Sequence, residues 1–163
     1  MKTIVSMTGM TEALRMLQSL PYELVTKRGG PVKLALKKGA MLIRDEEKQR
    51  LRALLNEQGT NETRGLLVDN IIASRGKKPA DGNGERYVVR VRRKIYPPKP
   101  GEKESRSTIK IAQLFEYGSK HQRARPFIRP AFEATAQKAI EVIREDLLKR
   151  IDKVVNKLGT QVE

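Results

Sequence analysis

A chain of 163 residues has the length of one domain. With aromatic residues at 4%, no Trp and 33% charged residues, its core must rest on Leu, Ile, Val and Ala. Thirty-four Lys and Arg against nineteen Asp and Glu leave a formal charge of +15, which attracts polyanions but carries no information about fold. Zero Cys excludes disulfides and thiolate metal sites, and neither a signal-peptide pattern nor an apolar run of about 18 residues occurs, so a soluble protein made in the cytoplasm is expected.

Near the start, Thr11 is placed to cap a helix over Glu12 to Leu20 with Leu14 and Leu17 on one stripe, which Pro21 ends. Before it, a short strand at Thr3 to Val5 followed by a loop at Ser6 to Gly9 is the alternative reading of the first residues. A second helix is expected from Pro31 to Asn56, with Pro31 at its first position after Gly29-Gly30. Leu34, Leu36, Ala40, Met41 and Ile43, then Leu51, Leu54 and Leu55, supply its apolar residues. Gly39 costs that helix about 1 kcal/mol relative to Ala and reads as simply tolerated, with a bend or a close neighbour as the alternative.

Gln58 to Thr63 reads as a loop, and Gly65 to Ile72 as a short apolar piece whose periodicity fits helix and strand equally. Glu85 to Tyr96 is the strongest strand pattern, with Tyr87, Val89 and Val91 alternating against Val88, Arg90, Arg92 and Lys94. On one strand face, Arg90, Arg92 and Lys94 would form a positive rail, either a plain solvent face or a surface for DNA. Flexible loops are expected near 76–84 and 97–107, where Pro, Gly and charge cluster.

Ile109, Ile111 and Ala112 suit a short strand, turning at Leu114 and Phe115 into a short helix stopped by Gly118. Ser119 to Arg125 reads as a basic, mobile loop. Arg125-Pro126 and Arg129-Pro130 are two stiff steps, each biasing its arginine to an extended backbone. Phe127 and Ile128 would anchor the link to a core or to a neighbour. A long amphipathic helix follows to about Leu158, with Phe132, Ala136, Ala139, Ile140, Ile143, Leu147 and Ile151 on its apolar side. The expected fold class is α+β: a small antiparallel sheet packed by N-terminal helices and a long C-terminal amphipathic helix, in a single domain.

Catalytic parts are scarce. His121 is the only histidine, so no histidine zinc cluster can be built, and its place in a basic loop does not suit a histidine-dependent triad. Asp45, Glu46 and Glu47 read as the solvated face of a helix, and the spacing of Asp69, Asp81 and Glu116 does not suggest a Mg²⁺ site. The expectation is a protein without enzymatic activity, cofactor or metal.

Phe115-Glu116-Tyr117-Gly118-Ser119, followed by Ala124-Arg125-Pro126-Phe127-Ile128-Arg129-Pro130-Ala131-Phe132 and a long helix, resembles the neck or tail-completion (head-tail joining, minor tail component) proteins of long-tailed bacteriophages. That family's pattern is an aromatic-flanked Glu, then Gly-Thr, then Arg-Pro-Phe-Leu-Arg-Pro-Ala-Phe. Lys38-Gly39-Ala40, Gly65 with Leu67, Asn70 and Ile71, and the strand Tyr87 to Val91 add weaker similarity. Ser119 stands for the usual Thr, Asn70 for Ser, and Arg64 splits the usual Thr-Gly.

The resemblance implies a virion structural protein in the neck, a hexameric ring of identical subunits. Its partners would be the head-closure or connector protein and the tail terminator or tail tube protein, with transient genome contact and no membrane. Phe115, Tyr117, Arg125, Phe127 and Arg129 are the residues expected at subunit or partner interfaces, and Arg90, Arg92 and Lys94 those facing DNA. The alternative function is a small basic nucleic-acid-binding protein.

Overall fold

The computed structural model describes residues 30–57, 65–77, 85–97 and 106–159. The helix expected over Glu12 to Leu20, the strand at Thr3 to Val5 and most of the two expected loops lie outside the described residues. In chain order the elements are α1 (Pro31–Glu57), α2 (Gly65–Asp69), β1 (Ile71–Arg75), β2 (Tyr87–Val91), α3 (Thr108–Tyr117) and α4 (Ile128–Gly159). The class is α+β, a two-stranded antiparallel sheet packed against α1 and accompanied by the long C-terminal helix.

Helix α1 begins where Leu34 N–H donates to the Gly30 carbonyl at 3.2 Å, which makes Gly30 the cap and Pro31 the first helical residue. There the missing proline N–H costs nothing. Its buried side is Ala35, Gly39, Ala40, Glu47, Leu51 and Leu55, a narrower set than the large aliphatics suggested, because its first half meets α4 at close range. The two helices run antiparallel: Ala35 packs with Leu147 and Ile151, and Gly39 lies opposite Ile143. A Cβ on Gly39 would sit 2.5 Å from the Ile143 side chain and 3.2 Å from the Ala139 carbonyl. The glycine is therefore there for close approach, not merely tolerated. Lys38 Nζ bonds Asp146 Oδ1 at 3.1 Å across the same seam. With Arg150, whose hydrogen bond matters most, it holds the Asp146 carboxyl below the usual range against the opposing effect of burial.

The main core gathers Leu51 and Leu55 of α1, Leu67 and Val68 of α2, Ile71 of β1 and Phe115 of α3, with Phe127 just ahead of α4. Full burial of one such side chain stabilises the fold by roughly 1.5–3 kcal/mol. The ambiguous apolar piece Gly65–Ile72 is both things in turn. Five residues are helical, Asn70 closes them by donating its backbone N–H and its Nδ2 to Leu66 O, and the strand starts at Ile71.

The strand β2 is shorter than its pattern, ending at Val91 rather than Tyr96. Beyond it Thr108 takes over: its hydroxyl donates to Arg92 O at 2.6 Å and accepts Lys94 N–H at 2.9 Å. Thr108 is fully buried and opens α3, so Ile109 to Ala112 are helix where a strand was expected. Ser107 caps that helix, its hydroxyl accepting from Lys110 N–H.

Candidate assembly site

The corner between α3 and α4 is built around one carboxylate. Glu116, near the end of α3 and buried, accepts Phe127 N–H and Ile128 N–H on Oε2, both at 3.0 Å, and Arg129 N–H on Oε1 at 3.1 Å. A helix start leaves its first four N–H groups without intrahelical partners. In α4, where Ala131 N–H makes the first helical bond to Phe127 O, those four belong to Phe127, Ile128, Arg129 and Pro130. Glu116 satisfies three of them, and Pro130 has no N–H to satisfy. A negative group at that end also complements the helix dipole.

This corrects the expectation for the second Arg-Pro step. Only Arg125-Pro126 lies outside regular structure; Arg129 and Pro130 already belong to the first turn of α4, where the proline is tolerated because no intrahelical donor is lost. The loop before it is a closed turn. Gly118 has φ +74° and ψ −169°, a region accessible essentially to glycine alone, and an added Cβ would lie 2.7 Å from Ala124 N and 2.8 Å from Gln122 O. Ser119 N–H donates to Gln122 O at 2.8 Å, and its hydroxyl accepts the N–H groups of His121 and Gln122. Arg125 N–H then returns to Phe115 O at 2.7 Å.

Phe115 and Phe127, expected at a subunit or partner interface, are interior, 4% and 0% exposed. Their rings meet edge to face at 6.5 Å, a favourable aromatic geometry, and they brace the corner from within the chain. Tyr117, Arg125 and Arg129 are on the outside, Tyr117 71% exposed. Phe132, counted with the buried stripe of α4, is 51% exposed beside them. The interior side of that helix runs instead through Ala131, Thr135 and Ala139, because small residues let α4 approach α1.

Of the expected rail, Arg90, Arg92 and Lys94 are all exposed, but only Arg90 lies in a regular strand. Its Nε donates to Ser74 Oγ across the sheet at 3.0 Å. Arg92 and Lys94 follow the end of β2, so no continuous strand face carries all three.

A cleft of about 780 Å³ opens between α1, β2, α3 and α4. Glu47 lines it, and sequence reasoning missed that residue by grouping it with Asp45 and Glu46. Those two are half-buried or exposed and pair locally with Arg44 and Arg50, whereas Glu47 is 4% exposed. Burial, and secondarily the Glu116 charge, pushes its carboxyl up to about 7. Its four-residue spacing from Leu51 and Leu55 is the signal that could have found it. Among the described residues no three His, Asp or Glu side chains converge as a metal site, and no helix is long and apolar enough to cross a membrane.

No protein-family model, curated protein or solved structure matches the chain.

Proposed function

We propose that this chain is a neck or tail-completion subunit of a long-tailed bacteriophage, one member of a ring joining the head-closure complex to the tail tube, with DNA crossing the ring. The observation that carries this reading is the Glu116 clamp. It accounts for the Phe-Glu-x-Gly and Arg-Pro-Phe-Ile-Arg-Pro pattern as one mechanical unit, a rigid corner holding Tyr117, Arg125 and Arg129 outward. A closed ring needs heterologous contacts between identical subunits, and a stiffly held arginine can engage a neighbour's carboxylate through paired hydrogen bonds. Phe115 and Phe127 serve that surface indirectly by setting its shape. In the channel, a basic subunit makes weak, salt-screened phosphate contacts that permit the genome to pass.

The test is replacement of Arg125 and Arg129 together by Ala in the phage. Both side chains are exposed, so the purified variant should keep its thermal midpoint while electron microscopy of lysates shows unjoined heads and tails. Normal infectious particles would sink the reading.

Exposure of Arg90, Arg92 and Lys94 favours a second reading, a small basic nucleic-acid-binding protein. Filter binding against salt separates the two: tight duplex binding by a monomer, with a steep salt slope, supports the second.

A further inference from the structure

Glu47 is buried and lines the cleft between α1, β2, α3 and α4, yet it makes no hydrogen bond or ion pair among the described residues. Two other charged residues line that space. Glu116 is committed to three N–H groups of α4, and Arg129 is exposed and forms no ion pair with Glu47. A carboxylate taken out of water is unfavourable until a cation or donor meets it, so burial, then the Glu116 charge, holds the Glu47 carboxyl up at about 7.

The walls around it are apolar and aromatic. Of the four large apolar side chains that stay exposed among the described residues, Ile109, Tyr117 and Phe132 line the cleft, and Tyr87 lines it with them. A carboxylate below aromatic rings is suited to a guanidinium or ammonium group on an apolar stem: the charge meets the carboxylate, while the stem packs on the rings.

The fourth exposed apolar side chain, Ile95 at 59%, lies outside the cleft. It follows Arg93 by two residues in a stretch held extended against the start of α3. Lys94 O accepts Thr108 N–H and Tyr96 N–H donates to Arg106 O, each at 2.8 Å, and Ile95 bridges Ser107. Side chains two apart in an extended chain share a face, and Tyr96 is buried on the opposite one, so Arg93 and Ile95 project together from the outer side. Arg93 is exposed and has no hydrogen-bond or ion-pair partner among the described residues. One chain thus carries both an apolar socket with an acidic floor and a basic, apolar projection that does not enter its own socket. Two such unlike surfaces on identical chains are the halves of a heterologous contact, and a second copy is the occupant that uses both.

We propose that the cleft receives the Arg93 and Ile95 side chains of a second copy of this chain, the guanidinium seated against Glu47 and Ile95 on the apolar rim. The contact rests on the ring reading only for the number of copies that close.

Sedimentation of the purified full chain over a range of concentrations tests it. The parent should self-associate reversibly. Arg93→Gln and Glu47→Gln should each weaken that association by at least about thirtyfold, the effect of removing one partner of a buried charge pair, and the double variant should be little weaker than either single one. Arg52→Gln, an equal change of charge on the exposed side of α1, should leave it within about twofold. A parent that stays monomeric, or association that survives either Arg93→Gln or Glu47→Gln, would overturn the proposal and leave the ring reading to its own test in the phage. Weakened association in solution beside normal particles from the Arg125 and Arg129 variant would support this contact and remove the ring.

If Glu47→Gln fails to fold, the absence of native Cys makes cross-linking decisive. Ile95→Cys chains mixed with Tyr117→Cys chains should form an interchain disulfide in several-fold higher yield than with Arg52→Cys chains. Equal yields for the two mixtures would overturn the proposal.

Discussion

The α3–α4 corner and the β1–β2 hairpin are both held by hydrogen bonds, but they differ in how many alternatives each leaves. At the corner every backbone donor that the start of α4 leaves open is taken by Glu116 or removed by Pro130, and Gly118 occupies a conformation other residues avoid. In the hairpin, β2 has its inner backbone groups paired and its outer ones directed into a cleft. The corner is completed within the chain and can present a fixed surface, whereas the outer backbone groups of β2 have no hydrogen-bond partner among the described residues.

The largest effect should come from breaking the corner. Glu116→Ala leaves three N–H groups without their acceptor in a buried site and should cost roughly 3–6 kcal/mol in denaturant unfolding. Glu116→Gln should lose about half as much, since one amide oxygen can keep two of the donors while the amide nitrogen faces the third. Equal losses for the two variants would mean that Glu116 acts by packing alone.

A smaller effect is expected at Glu47, on the α1 wall of the cleft. Its carboxyl is raised from 4.5 to about 7 in the folded chain, so between those values the folded state holds a proton that the unfolded state has released. Stability from this group is complete below about pH 4.5 and is lost as pH rises through 7, by up to about 3 kcal/mol. Glu47→Gln should therefore be more stable than the parent at pH 8 and about equal at pH 4, as measured by denaturant midpoints. A pH-independent difference would remove the ionisation from the account.

The smallest change in stability should follow from neutralising the hairpin's charges. Replacing Arg90, Arg92 and Lys94 by Gln should shift stability by no more than about 0.5 kcal/mol per site, while any duplex-DNA affinity should lose part of its salt slope. A loss of stability comparable to that of Glu116→Ala would erase the contrast between the two regions.

The long helices were legible because their evidence is local. Pro31 after two glycines and the apolar spacing to Leu55 mark α1, and the run through Ile151 marks α4; each can be read within a few turns of chain. The corner was recognisable as a pattern, Glu116, Gly118 and the two Arg-Pro steps, but its mechanism was not. A carboxylate that caps a helix starting a dozen residues later does so only once the turn at Gly118 has brought the two together. Phe115 and Phe127 look like contact residues in sequence for the same reason, since nothing local distinguishes an aromatic that meets a neighbour from one that meets the other wall of its own corner.

By itself, then, the sequence determined the two long helices, the Val-rich strand, the glycine stop and the overall α+β class, all of which follow from backbone preferences and short-range periodicity. Tertiary structure alone decided that Gly39 admits Ile143, that Glu47 is buried, that β2 stops at Val91 because Thr108 captures the next residues, and that Glu116 begins α4. Each of these depends on atoms distant in sequence competing for one donor, one acceptor or one small volume, and such competition is resolved only when the chain is packed.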